Sequence, residues 1–96
     1  MFTVYRSDVF NQWLTGLRDT KAKARILNRL ENVMRGTLGE YRSLGRDLYE
    51  LKIRYGPGYR LYFTKKTDGT IIFLLCGGDK STQRADIGKA RAMMET

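Results

Sequence analysis

Apolar residues in the first third of the chain recur with the spacing of amphipathic helices. The first helix has apolar side chains at i, i+3, i+4 and i+7, namely Phe10, Trp13, Leu14 and Leu17. Ser7 or Asp8 can cap its N-terminus. A second helix is predicted from about Lys21 to Arg35, followed by Gly36 where helices commonly end. Its apolar stripe contains Ile26, Leu27, Leu30, Val33 and Met34. We expect the two helices to cover one face of a sheet.

The middle of the chain has the apolar alternation of β-strands, interrupted by glycine-rich turns. A short strand is expected at Phe2–Tyr5, at an edge of the sheet. The stretch Leu48–Phe63 predicts a hairpin whose turn is Gly56-Pro57-Gly58. After a second turn at Thr67-Asp68-Gly69, the segment Thr70–Cys76 is almost continuously apolar. Such a strand is buried on both faces, so we expect it in the centre of the sheet.

Two further segments have weaker patterns. Residues 36–46 show no clear apolar period and are interpreted as a connecting loop. Gly77-Gly78 is expected to end the last strand, after which Asp79, Ser81 or Thr82 can cap a final helix to about Met94. Because its apolar stripe is only Ile87, Ala90 and Met94, we expect that helix to be short, loosely held or partly mobile. Residues 1–96 are thus predicted to form one α+β domain, in which two N-terminal helices pack on a twisted antiparallel sheet of about four strands.

The predicted hairpin has one apolar and one polar face. Alternation places Tyr49, Leu51, Ile53 and Tyr55 on the first face, and Leu48, Glu50, Lys52, Arg54, Arg60, Tyr62 and Thr64 on the second. Arg54 and Arg60 are expected opposite each other or one register step apart. Two guanidinium groups repel at that distance unless a polyanion lies between them. The alternative is a pair of exposed salt bridges between Glu50 and the arginines.

The charge of the chain favours a polyanionic partner. Its 18 basic and 10 acidic residues give a net charge of +8, which attracts nucleic acid or an acidic protein. Five cations and no acid lie between Leu51 and Thr67, interleaved with tyrosine and phenylalanine, a combination that suits phosphates and stacked bases. The candidate RNA-binding residues are Lys52, Tyr62, Lys65, Lys66 and Arg84.

Several kinds of chemistry are excluded by composition. The chain has no histidine and one cysteine, Cys76, so no metal site, internal disulfide or cofactor is expected. Gly77-Gly78-Asp79-Lys80-Ser81 lacks the glycine spacing of a phosphate loop; it can hold an anion at a helix N-terminus or serve only as a turn and cap. The longest apolar run has six residues, too few to span a membrane. The N-terminus is unlike a signal peptide, so we expect a cytoplasmic protein.

Two motifs carry a resemblance to a known family. Leu48–Phe63, together with Leu74–Gln83 and Asp86-Ile87, resembles the RelE/ParE toxin superfamily, and within it the HigB-like addiction module killer branch. The resemblance implies a type II toxin–antitoxin system, a cognate helix-turn-helix antitoxin, and a toxin–antitoxin complex that binds operator DNA. RelE-like members cut mRNA on the ribosome, whereas ParE-like members inhibit DNA gyrase. We expect a ribosome-dependent, metal-independent mRNA endonuclease that inhibits translation; gyrase inhibition or a non-toxic nucleic-acid-binding module is the alternative.

The resemblance also implies roles for individual residues. Arg60 falls where the superfamily has a sheet arginine that contacts phosphate, and Glu50, Lys52 and Arg54 fall on the neighbouring strand. Lys80 lies beyond the last strand, where nuclease members often have a basic or acid/base residue. We therefore expect Glu50 as a base, Arg54 and Arg60 as ligands of the transition state, and Lys80 as a phosphate contact or acid.

Overall fold

The computed structural model describes residues 1–66 and 68–95. Within these residues the helices are α1 (Asp8–Gly16), α2 (Thr20–Met34) and α3 (Gln83–Met94). The strands are β1 (Thr3–Arg6), β2 (Tyr41–Gly45), β3 (Leu48–Ile53), β4 (Tyr59–Lys66) and β5 (Ile71–Asp79). A short 3₁₀ turn, Lys80–Thr82, leads into α3.

The five strands form one sheet in the order β1-β5-β4-β3-β2. β1 pairs in parallel with β5 at one edge, and the other neighbours are antiparallel. This confirms the α+β class, the hairpin of β3 and β4, and the edge position of the first strand. The sheet has one strand more than predicted, and the parallel pairing of β1 makes it mixed.

The additional strand, β2, lies in the segment that the sequence pattern assigned to a loop. That assignment was wrong, because Tyr41, Arg42 and Ser43 pair with β3. The turn back into β3 contains Arg46 and Asp47 with φ values of 48° and 65°. Arginine is unusual in this left-handed region, and β2 is a mostly exposed edge strand. Neither the turn nor the strand therefore has the usual sequence signal.

One face of the sheet is covered by α1 and α2. The N-terminus of α1 is capped as predicted, because the Ser7 hydroxyl accepts a hydrogen bond from the Phe10 amide at 2.9 Å. At the N-terminus of α2 the Asp19 carboxylate accepts hydrogen bonds from the amides of the first turn. The predicted stripe of α2 was too wide, because Leu27 and Met34 are 43% and 52% exposed. Ala22 is buried in their place, since only a narrow strip of the helix meets the sheet.

The opposite face is partly covered by α3. This helix packs Ala90 and its neighbours over Leu48, Tyr62, Leu75 and Cys76. Toward its other end Arg91 donates hydrogen bonds to the carbonyl oxygens of Leu44 (2.7 Å) and Gly45 (3.2 Å). The helix therefore contacts the sheet through the apolar cluster around Ala90 and contacts β2 through Arg91. The contribution of Arg91 has no signal in the apolar periodicity, and how firmly the helix is held stays a prediction.

Gly77 and Gly78 do not end the last strand, contrary to expectation. β5 continues through both glycines and pairs with β4 as far as Asp79. A Cβ atom at Gly77 would clash with the Trp13 ring of α1, and one at Gly78 would clash with the Asp86 carboxylate of α3. Glycine is needed here because both helices approach the strand closely.

The turns around the hairpin agree with their sequence signals. Gly56 and Gly58 have φ values of 56° and 80°, in the left-handed region that glycine tolerates best. In the second predicted turn, Thr67 lies outside the described residues, while Asp68 and Gly69 have positive φ. Across residues 1–66 and 68–95, no helix is both long and apolar enough to cross a membrane.

Arg29 connects α2 to the C-terminal end of β3 and to the residues that precede β2. Its guanidinium donates to the carbonyl oxygens of Lys52 (2.8 Å), Glu40 (2.8 Å) and Leu38 (3.1 Å). The Glu40 carbonyl oxygen also accepts from the Lys52 amide at 3.0 Å. Arg29 therefore fixes the backbone of two residues whose side chains line the groove described below.

Replacing Arg29 with methionine is expected to lower the free energy of unfolding by about 2–3 kcal/mol, because three carbonyl groups lose a charged donor. For a domain of this size that corresponds to a decrease of roughly 10–20 °C in the melting temperature, measurable by circular dichroism. Arg35→Met is the matched control, since Arg35 is largely exposed and has only a 4.0 Å contact with Glu31. Equal losses in both variants would contradict this role.

Candidate functional site

The α3 face of the sheet is left uncovered beside the N-terminal end of α3, and basic side chains line the uncovered part. Two adjoining hollows of about 350 and 380 Å³ lie there. Both are lined by Lys52 on β3, Arg60 on β4 and Lys80 after β5. The loop 54–58 bounds one hollow, and Gln83 at the start of α3 bounds the other. We call the two hollows together the basic groove.

Arg60 lies in the floor of the basic groove. The strand register places it directly opposite Lys52, yet its own side chain is only 6% exposed. Its Nη1 donates to the Gly58 carbonyl oxygen at 3.0 Å, and its Nε lies 3.8 Å from the Glu50 carboxylate. That Nε is buried without a hydrogen-bond partner in the described residues. Arg60 is thus a buried cation with an unpaired donor and a second cation opposite it, an arrangement that an anion in the groove would stabilise.

Glu50 lies beneath the groove and connects three elements. Its side chain is 3% exposed and accepts hydrogen bonds from Arg42 of β2 (2.9 Å) and Gln83 of α3 (2.8 Å). Burial alone would raise the pKa of this carboxyl group. The hydrogen bonds from Gln83 and Arg42, with the charges of Arg42 and Arg60, hold its pKa below the ordinary value. Such a carboxylate accepts a proton poorly, so the geometry favours Glu50 as a group that orients Arg60.

Arg54 is not directly opposite Arg60, which was the first of the two expected placements, although both arginines line the same hollow. The loop 54–58 sets Ile53 against Tyr59 and Lys52 against Arg60, so Arg54 lies beyond the paired strands. Its guanidinium forms two bonds of 2.7 and 2.9 Å with the carboxylate of Glu40. Arg54 still lines the groove, but an acid already neutralises it. Of the alternative pair of salt bridges, Glu50 forms the one to Arg60, although it is buried rather than exposed, and Arg54 is paired with Glu40 instead.

The structure does not bring the predicted RNA-binding residues together at one place. Lys52 lines the groove, and Arg84 is exposed on the first turn of α3, next to Gln83. Tyr62 is completely buried under α3, where burial and the nearby Glu50 charge raise its pKa. In this conformation the Tyr62 ring cannot stack on a base.

Lys65 and Lys66 lie outside the groove. The Nζ of Lys65 is 4.6 Å from the centre of the Tyr49 ring, on the face of the sheet that α1 and α2 cover. Lys66 is at the far end of β4, beside the last turn of α3. The five cations that are close in sequence are therefore not one patch. Alternation along β4 places Lys65 on the opposite face, and six residues of strand separate Lys66 from Arg60.

Two residues that the sequence reasoning did not select complete the site. Arg42 and Gln83 both donate to Glu50. The importance of Arg42 depends on β2, which has no sequence signal of its own. Gln83 stands within the second motif, but only the docking of α3 brings it to β3. Among the described residues, no three histidine, cysteine, aspartate or glutamate side chains group as a metal site would require.

Comparison with other sequences identifies one clear relative. No family model matches the chain. An uncharacterized protein of Haemophilus influenzae is 41% identical over 86 residues, which are 90% of this chain and 86% of that protein. The chain belongs to the same family as that protein.

Comparison with solved structures shows the fold. The toxin–antitoxin complex RelBE of Escherichia coli matches 82% of this chain and 96% of its own, with a TM-score of 0.67 and 17% identity. The isolated E. coli RelE toxin matches 88% and 95%, with a TM-score of 0.67 and 18% identity. The RelBE2 complex of Mycobacterium tuberculosis matches 82% and 98%, with a TM-score of 0.65 and 19% identity. The chain therefore has the RelE fold, while its assignment to the HigB-like branch stays a prediction.

Proposed function

We propose that this protein is the toxin of a toxin–antitoxin pair and that its basic groove holds messenger RNA for cleavage on the ribosome. The observation that carries the proposal is buried Arg60, which faces Lys52 and is backed by Glu50. Paired cations of this kind suit a phosphate group, which accepts bidentate hydrogen bonds from a guanidinium group. The RelE fold supports the same conclusion, because the similar solved structures are toxins and toxin–antitoxin complexes.

The proposed reaction needs no metal. The ribose 2′-hydroxyl loses its proton to a solvent water and attacks the adjacent phosphorus. The bond from phosphorus to the 5′-oxygen of the next nucleotide breaks, and a proton is transferred to that leaving oxygen, which leaves a 2′,3′-cyclic phosphate and a 5′-hydroxyl group. Negative charge develops on the non-bridging oxygens, where the Arg60 guanidinium stabilises it. Lys52 contacts a flanking phosphate. Lys80 is the proposed proton donor, because it lines both hollows and the chain has no histidine.

The proposal includes a cognate antitoxin and a cytoplasmic location. E. coli RelE and M. tuberculosis RelE2 structures include complexes with antitoxins, and a chain of charge +8 offers a partner a strong electrostatic attraction. Binding of the toxin–antitoxin complex to operator DNA belongs to the same proposal. The cytoplasmic location is proposed because the proposed targets, ribosomes and mRNA, are in the cytoplasm.

Induction of this chain without a partner tests the proposal in cells. Incorporation of labelled methionine into protein should fall before any loss of DNA synthesis, because mRNA is the target. An inhibitor of DNA gyrase would instead produce DNA breaks and filamentous cells while mRNA stays intact. That outcome, or unimpaired growth, would overturn the proposed function.

A milder effect is expected at the edge of the groove. Glu40 occupies Arg54 with two hydrogen bonds, so its carboxylate competes with a phosphate for that guanidinium. Glu40→Gln should increase the affinity for a single-stranded RNA about three- to five-fold, a small effect because the ion pair that it breaks is exposed. Fluorescence anisotropy at a fixed salt concentration measures this. Glu31→Gln removes the same charge elsewhere; an equal increase there would show only an effect of net charge.

A further inference from the structure

A further hollow, separate from the two that form the basic groove, lies at the C-terminal end of α3 on the same face of the sheet. Its volume is about 440 Å³. The apolar part of its lining includes Phe73 and Leu75 of β5 and Met93 and Met94 of α3. Lys66 of β4 and Lys89 of α3 also line it. We call it the methionine hollow.

The methionine hollow is separate from the basic groove. On α3, Gln83 of the groove and Lys89 of the hollow are six residues apart, or about 9 Å along the helix. Along β4, Arg60 of the groove and Thr64 of the hollow are four residues apart, or about 13 Å. A ligand in one site therefore does not have to cover the other.

The lining of the methionine hollow combines flexible methionine side chains with two lysine side chains. Methionine side chains are flexible and polarisable, and are common on surfaces that accept apolar side chains of different shapes. In the described part of the chain, neither Lys66 nor Lys89 forms a salt bridge. Lys52 and Lys80 of the basic groove form none there either, but the described lining of that groove contains no methionine, leucine or phenylalanine.

We propose that the methionine hollow binds an acidic segment of a protein partner. One or two apolar side chains of that segment fill the space against Met93 and Met94, and its carboxylates pair with Lys66 and Lys89. Charge complementarity selects this occupant: a nucleic acid would pair with the lysines but has no aliphatic group for the floor, whereas an acidic peptide with apolar residues supplies both. The inference is independent of RNA cleavage, because it concerns a different surface.

Methionine methyl NMR tests the location of binding. The chain has four methionines, and exposed Met1 and Met34 serve as internal controls. A twelve-residue peptide of alternating leucine and glutamate should shift the ¹³C-methyl signals of Met93 and Met94 but not those of the controls. A peptide of alternating serine and glutamate should bind at least about ten-fold more weakly than the leucine–glutamate peptide, because it lacks apolar side chains. Equal binding of the two peptides, or equal shifts at Met34, would overturn the inference.

Charge reversal tests the role of the lysines. The double variant Lys66→Glu/Lys89→Glu should weaken binding of the leucine–glutamate peptide about ten-fold or more. The control Arg18→Glu/Lys21→Glu also changes two cations to two anions, so each double variant lowers the net charge from +8 to +4. Equal weakening of peptide binding by the control would show that only the net charge of the protein matters, and it would overturn the inference. If raising the protein concentration alone shifts the Met93 and Met94 signals, a second copy is the occupant and the inference fails.

Discussion

Replacing Arg60 with lysine should lower the rate of mRNA cleavage by about 100- to 1000-fold, although the charge is kept. Lysine has no planar fork, so it cannot donate two hydrogen bonds to a phosphate while it contacts the Gly58 carbonyl oxygen. Cleavage of a message on purified translating ribosomes gives the rate directly. Circular dichroism of the variant shows whether the fold is retained.

Arg54→Lys is the matched control for this experiment. Arg54 lines the same groove, but it is exposed and already paired with Glu40. We expect its rate to decrease less than about ten-fold, because an exposed ion pair contributes little. If the Arg60 variant retains a rate within ten-fold of wild type, or if both variants lose activity equally, Arg60 does not hold the transition state.

Replacing Glu50 with glutamine should have the second-largest effect. Glutamine keeps the size of the side chain but leaves Arg42 and Arg60 without their negative partner. The free energy of unfolding should fall by about 3 kcal/mol, as for other buried pairs that lose one member. Cleavage should fall by about 10- to 100-fold, because Arg60 loses the group that orients it. Glu31→Gln is the control, since Glu31 is exposed.

The dependence of stability on pH separates the charge of Glu50 from its shape. The folded-state pKa of Glu50 lies below its ordinary value of 4.5. Its carboxylate therefore stabilises the folded protein at neutral pH, and this contribution is lost as the pH falls below about 4.5 through the folded pKa. The stability difference between wild type and Glu50→Gln should therefore shrink from pH 7 toward about pH 3. A difference that is constant over this range would show that packing, not charge, explains the effect.

Most of the fold follows from local patterns. The helical spacing of Phe10 and Leu14 predicts α1, and the alternation around the Gly56-Pro57-Gly58 turn predicts the hairpin of β3 and β4. Both patterns predict their elements correctly because the apolar residues that form each pattern are the ones that face the core. The edge strand β2 was missed for the opposite reason. Tyr41 and Arg42 are exposed, and their conformation depends on pairing with β3 rather than on burial.

The candidate site is less readable from sequence than the fold. Arg60 and Glu50 could be selected because both stand on the polar face of an obvious hairpin. The partners of Glu50 could not, because Arg42 and Gln83 reach it from elements that are distant in sequence. Tyr62 was selected for a similar reason. Alternation placed it correctly on the polar face, but the packing of α3 buries it, which the sequence pattern does not show. Tertiary packing decides which part of that face stays open.

Mapping of mRNA 5′ ends in cells that express this chain alone tests the central claim most directly. If the basic groove cuts mRNA on the ribosome, induction should produce discrete new 5′ ends within translated regions, and Arg60→Ala should remove them while the fold is retained. Growth arrest without new 5′ ends, or the same 5′ ends in the Arg60→Ala variant, would contradict the account.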